Sequence, residues 1–265
     1  MLENARTEFF VTPPTQRIAR KYADSYCKNV IFNIWCLIKF PNQLGRCYYA
    51  ERIILDSGVN AIFEMRELDD YPAWYLENYF YYAMKLSKRI RKRNRRVKSI
   101  WVVIPDYPAD LDKPIKNNVE RTIANWIAFK KYDTKGVFQW LPSLQAKRMD
   151  FESFRYSIKK FKEVFGSEYP ITAIGSVCKW KDISLIRKYV MLARYELKTQ
   201  WIHAFGPTVK SLPAIKPFIN SFDSITVKFH TYNSNNAEEV FLRYIRRIER
   251  WLSKPTLLTY FGKNR

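Results

Sequence analysis

Short β-branched or aromatic runs, each closed by a polar residue or glycine, alternate along this chain with stretches of helical periodicity. That alternation restricts the chain to an α/β fold with parallel strands, because only crossover helices join such runs economically. The runs close at Asp56-Ser57-Gly58, at Pro105-Asp106, around Gln139 and at Gly175-Ser176, and Ser221-Phe222-Asp223-Ser224 introduces a further one. The pattern predicts strands over 30–40, 52–55, 100–104, 137–141, 171–174, 200–204 and 224–229. Helices are expected over 72–84 and on into a basic block, then over 119–132, 150–165, 183–197 and 238–252, with a short one within 207–218. Residues 1–25, interrupted by Pro13 and Pro14, read as an N-terminal extension. Residues 256–261 read as an eighth strand or a docked tail.

A chain of 265 residues, 47% hydrophobic, suffices for one large core. The expected architecture is therefore a single-domain (β/α)8 barrel of the TIM type over 1–265, with the helix and tail of 236–265 packed on it; two smaller domains are the alternative. In such a barrel the polar strand ends converge at one mouth, where barrel enzymes keep their chemistry. Of only seven glycines, Gly58, Gly136, Gly175 and Gly206 border expected strands, as a site approached by a flat ligand would require, although turn geometry also accounts for such placements.

Charge narrows the partner. Lys plus Arg number 46 against 25 Asp plus Glu, a net +21 that favours a polyanion. Lys88, Arg89, Arg91, Lys92, Arg93, Arg95 and Arg96 crowd one stretch and are the expected contacts to a phosphate backbone. Just before them stand Tyr71, Trp74, Tyr75, Tyr79, Phe80, Tyr81 and Tyr82, available to stack on unpaired bases or to fill a core. A solvated helix face is the plain alternative for the basic run.

The four cysteines lack C-x-x-C spacing and only His203 and His230 could join them, so no metal site is expected. Reduced thiols, no long apolar stretch and no secretory pattern in the first residues lead to the expectation of a cytoplasmic protein with no membrane association.

In chain order, Asp56-Ser57-Gly58, Asp106, Gln139, Gly175, the His203-Ala204-Phe205-Gly206 stretch and Phe222-Asp223 resemble the tRNA-guanine transglycosylase superfamily, including its DNA-acting 7-deazaguanine transglycosylase relatives. The likeness spans roughly 53–229. It implies that Asp223 is a nucleophile toward the sugar carbon and Asp56 a general acid and base, with Ser57, Asp106, Gln139 and Gly175 recognising the base. It also implies an incoming 7-cyano-7-deazaguanine or a similar base, and no cofactor. Where the family has D-S-G-G-F, this chain has Asp56-Ser57-Gly58-Val59-Asn60; where it has glutamine-glycine-glycine, this chain has Gln139-Trp140-Leu141. The family's C-terminal cysteine zinc element is missing, and with the short length this favours DNA over tRNA as the polymer. A helper protein and the oligomeric state stay open. The competing expectations are a tRNA-acting enzyme and a non-catalytic basic nucleic-acid-binding barrel. Each acidic position also fits a turn cap, the commonest use of aspartate beside glycine.

Overall fold

The computed structural model describes residues 7–66, 68–109, 117–178, 180–197, 201–223 and 236–256. They form an α/β fold in which every strand pairing is parallel.

One sheet contains β2 (Asn29–Asn33), β3 (Arg52–Asp56), β4 (Ser99–Val103) and β5 (Gln139–Leu141), in that order. The other runs β1 (Glu8–Phe10), β9 (Ser221–Asp223), β8 (Trp201–Ala204), β7 (Ile171–Ile174) and β6 (Ser143–Leu144). The sheets meet at two places. Pro142 separates β5 from β6, and its carbonyl accepts from Ala173 N at 2.9 Å, so one extended segment serves both sheets. At the other junction, Val11 bridges to Val30 just beyond β1: Val11 N donates to Asn29 O and Ile31 N to Val11 O, both at 3.1 Å.

Period-2 alternation sorts the side chains into two apolar clusters. The smaller draws Phe10, Ile31, Ile54, Trp101, Val103, Leu141, Ile171 and Ala173 from both sheets. The larger lies between the strands and the helices and includes Val30, Ile53, Leu55, Val102, Ile202 and Phe222.

Four of the described helices start at a side-chain cap. Thr15 accepts from Ile18 N to open α1 (Gln16–Lys21), and Asn33 accepts from Cys36 N to open α2 (Ile34–Lys39). Further along come α3 (Val59–Arg66), α4 (Ala73–Glu77), α5 (Tyr79–Arg93) and α6 (Asn118–Lys130). Asp150 caps α7 (Phe151–Phe165) and Asp182 caps α8 (Ile183–Glu196); α9 (Leu212–Ile215) and α10 (Ala237–Leu252) follow.

Three expectations are corrected. The stretch read as an N-terminal extension holds β1 and α1, because Glu8–Phe10 finds a partner in β9. The apolar run 30–40 is not one strand: the Asn33 side chain caps a helix and ends β2 there. Ser221–Asp223, expected to lead into a strand, is itself one, β9; residues 224–229, where that strand was expected, lie outside the described residues, as do all but Thr256 of the expected 256–261 element.

All four cysteines are free thiols. Burial pushes the Cys27 thiol up to about 12 and raises Cys47 as well, so neither is a ready nucleophile. Among the described residues, no helix is long and apolar enough to cross a membrane.

Candidate active site

Parallel strands put all their C-terminal ends at one side, and the polar residues that close them meet there. Asp56, Asp106, Gly175, Gly206 and Asp223 line one cavity of about 80 Å³, together with Asn60, Gln145 and Phe205. Asp56 ends β3 and Asp223 ends β9, so two acids far apart in sequence face the same space.

Asp106 is 5% exposed and held from two sides. Ser57 Oγ donates to its Oδ1 at 3.0 Å and Gln145 Nε2 to its Oδ2 at 2.6 Å. Burial pushes the Asp106 carboxyl above the ordinary aspartate value, and the hydrogen bonds from Ser57, Ser143 and Gln145 pull it part of the way back. Gln145 is itself fixed, since Ser176 Oγ donates to its Oε1 at 2.9 Å. Gly175 sits against this group: a Cβ there would overlap Gln145 Nε2 and Ser143 Oγ, so only glycine leaves the amide free to reach Asp106.

Ser57 is fully buried. The Tyr71 hydroxyl donates to the Asp106 carbonyl at 2.9 Å and lies 3.1 Å from Ser57 Oγ; Tyr75 donates to the Ser57 carbonyl and Tyr79 to that of Val103, both at 2.6 Å. These three tyrosines are buried, so they brace the strand ends from behind instead of offering rings to a ligand. Gly58, with φ at +89°, turns the chain sharply away from Asp56, and its backbone N donates to Asp56 Oδ2 at 3.3 Å. Asp223 accepts from Gly206 N on Oδ1 at 2.8 Å.

Two groups of site residues are placed elsewhere. Gln139 starts β5 and pairs with Trp101, so it lies at the opposite end of the strands from the cavity. The glutamine that does line the cavity is Gln145, which follows the last residue of β6. Lys88, Arg89, Arg91, Lys92, Arg93, Arg95 and Arg96, expected to grip the polymer beside the reacting base, also lie at the strand-start end. The reason is directional: α5 runs back antiparallel to the strands and closes with these residues. Arg91 Nε donates to Val137 O, just ahead of β5, at 2.5 Å, and Arg96 pairs with Asp24 and with Glu51, just ahead of β3. With 15 residues α5 spans about 22 Å, which separates the basic end from the mouth.

A wider cleft of about 540 Å³ opens at that basic end, with Arg91, Lys98, Lys130, Gln139 and Trp140 among its walls. Size would favour it as the working site. It holds a single carboxylate, Asp133, whereas the smaller cavity collects three, one of them buried and perturbed, and pairs of carboxyls with distinct environments are what acid-base and nucleophilic chemistry needs.

No family model matches the chain, and no curated protein matches it. The functional reading therefore rests on the residues themselves.

Proposed function

We propose that the chain is a base-exchange transglycosylase of the kind its strand-end motifs resemble, built on a closed (β/α)8 barrel. Closure is supported by the two junctions between the sheets and by the small apolar cluster to which both contribute. Counting β5 and β6 as one strand broken at Pro142, the nine strands of the described residues become eight. The barrel would have its mouth at the cavity of Asp56, Asp106 and Asp223.

The convergence of those three acids around Gly175 is the observation that carries the reading. Asp223 attacks the sugar C1′ of the target nucleotide, and the C1′–N9 electron pair leaves with guanine, which takes a proton from Asp56. An aspartyl-sugar ester remains. The incoming 7-deazaguanine then attacks C1′ through N9, Asp56 takes back the N9 proton, and the ester bond breaks to regenerate the Asp223 carboxylate. Two inversions give net retention, the logic of a retaining glycosidase. Asp106 accepts hydrogen bonds from the donor edge of the guanine-like ring, with the Gln145 amide beside it. The reacting nucleotide must leave its stack to enter a pocket of this size.

DNA is the polymer favoured, tRNA the alternative. The basic end of α5 is a contact for flanking phosphates well away from the reacting base. Mass spectrometry of nucleosides recovered from DNA and from tRNA after incubation with enzyme and 7-cyano-7-deazaguanine tests this. The expected result is the deazaguanine nucleoside in DNA in place of deoxyguanosine. Modification of tRNA alone would transfer the activity to RNA, and no exchange in either polymer would leave the basic binding barrel.

A further inference from the structure

We infer that His203 is the positioning residue of Asp223, turning its Nε2–H toward Oδ1 so that Oδ2 is the oxygen left to attack; the final step rests on the transglycosylase reading. His203 and Ser221 are register partners on the adjacent strands β8 and β9, and both are fully buried. Their side chains meet, with His203 Nδ1 2.9 Å from Ser221 Oγ.

The groups around the ring favour one tautomer. The Trp201 indole can only donate, and its Nε1 donates to Ser221 Oγ at 2.8 Å. Ser221 Oγ keeps a second lone pair as well as its proton, so this contact alone admits a hydrogen on either ring nitrogen; Asp223 Oδ1, 3.4 Å from Nε2, discriminates, because a bare Nε2 would set its lone pair against a carboxylate oxygen. The ring proton is therefore assigned to Nε2, with Nδ1 accepting from Ser221. Nε2 is buried with no hydrogen-bond partner of ordinary geometry, and Asp223 Oδ1 lies 3.4 Å from it. A buried N–H without an acceptor is costly, which favours contact between the ring and the carboxylate oxygen.

Rotation of the ring is blocked on two sides. Phe10 meets it edge-on at 5.4 Å between centroids, and Phe205 at 4.7 Å. The Gly206 N–H donates to the same Oδ1 at 2.8 Å. Both donors therefore address one oxygen, and among the described residues no hydrogen bond reaches Oδ2. One oxygen is anchored, and Asp223 lines the cavity, so Oδ2, which accepts no hydrogen bond among the described residues, is the oxygen assigned to attack.

Long-range ¹H–¹⁵N NMR on the full chain reads the tautomer without any substrate. The sequence has two histidines, and His230→Gln assigns the remaining ring signals to His203. Protonated Nε2 is expected; a bare Nε2 overturns the inference. Rates of covalent capture of a guanine-containing polynucleotide then test the consequence. His203→Phe keeps a ring without a donor and is expected to slow capture about 100-fold, while His203→Gln, which restores an N–H, stays within about 10-fold of wild type. Ser221→Ala keeps the ring but removes the hydroxyl partner of Nδ1, and is expected to fall between them. Equal rates in all three variants and wild type would overturn the positioning role. If wild type itself captures nothing while Nε2 is protonated, the transglycosylase reading fails and the hydrogen-bond assignment stands.

Discussion

Asp223→Asn is expected to abolish base exchange, lowering the rate by a factor on the order of 10⁴ or more, while leaving thermal stability close to that of wild type. The fold should tolerate it because an asparagine Oδ1 still accepts from Gly206 N, the one hydrogen bond of ordinary geometry that Asp223 makes among the described residues. The nucleophile is what disappears: an amide oxygen has neither the charge nor the basicity to open the glycosidic bond. Asp56→Asn should behave differently. It removes the proton carrier but not the attacking oxygen, so exchange falls by about 10²–10⁴ and stays measurable. Single-turnover exchange rates of the two variants, beside their melting curves, check both statements. Equal losses would mean that the two acids do not divide the work in this way.

Asp106 produces the second large effect, through pH. Burial holds its carboxyl above the ordinary aspartate value, so in the unliganded protein the folded state binds this proton more tightly than the unfolded chain does. Its contribution to stability is therefore full below about pH 4, the unfolded aspartate value, and is lost as pH rises through the folded value. A base that presents N–H donors reverses the preference, because it binds the ionised carboxylate. Affinity for the free 7-deazaguanine base should accordingly rise with pH across the range above about 4 and level off once Asp106 is ionised. Asp106→Asn should lose that slope and cost about 1.5–3 kcal/mol of base affinity, the worth of hydrogen bonds to a charged group. Titration calorimetry at a series of pH values reads both. An unchanged slope in the variant would assign the pH dependence to another group.

The site was legible in the sequence wherever a polar residue closes a short β-branched run. Asp56 and Asp106 do so, as does the glycine Gly175, and parallel strands carry such closers to one end; Asp223, read as introducing a run over 224–229, instead ends β9. Gln139 lies inside the expected run 137–141 but is the first residue of β5, and that position decided against it. Pro142 follows the expected strand 137–141, and a proline lacks only the donor; its carbonyl still pairs with Ala173, and the segment runs on to Leu144 with Gln145 just beyond. Applied past the proline, the rule of the closing residue finds Gln145. The basic stretch was legible as a charge cluster but not as to its end of the molecule. Helix direction supplies that: a crossover helix finishes where the next strand begins, so the tail of α5 belongs at the strand-start end. The tyrosines before it alternate at helical spacing, and their buried hydroxyls reach backbone carbonyls of the site. Composition alone gave no way to separate that role from base stacking. β1 escaped notice because three residues are too few for a period to show.

The most direct test is intact-mass analysis of the denatured wild-type protein after incubation with guanine-containing DNA and, separately, tRNA. The expected product is a covalent adduct that retains the polynucleotide minus one guanine, maps to the peptide bearing Asp223, is absent in Asp223→Asn, and is discharged when a 7-deazaguanine base is supplied. Exchange that proceeds with no adduct, or an adduct that persists in Asp223→Asn, would contradict a carboxylate nucleophile at the end of β9.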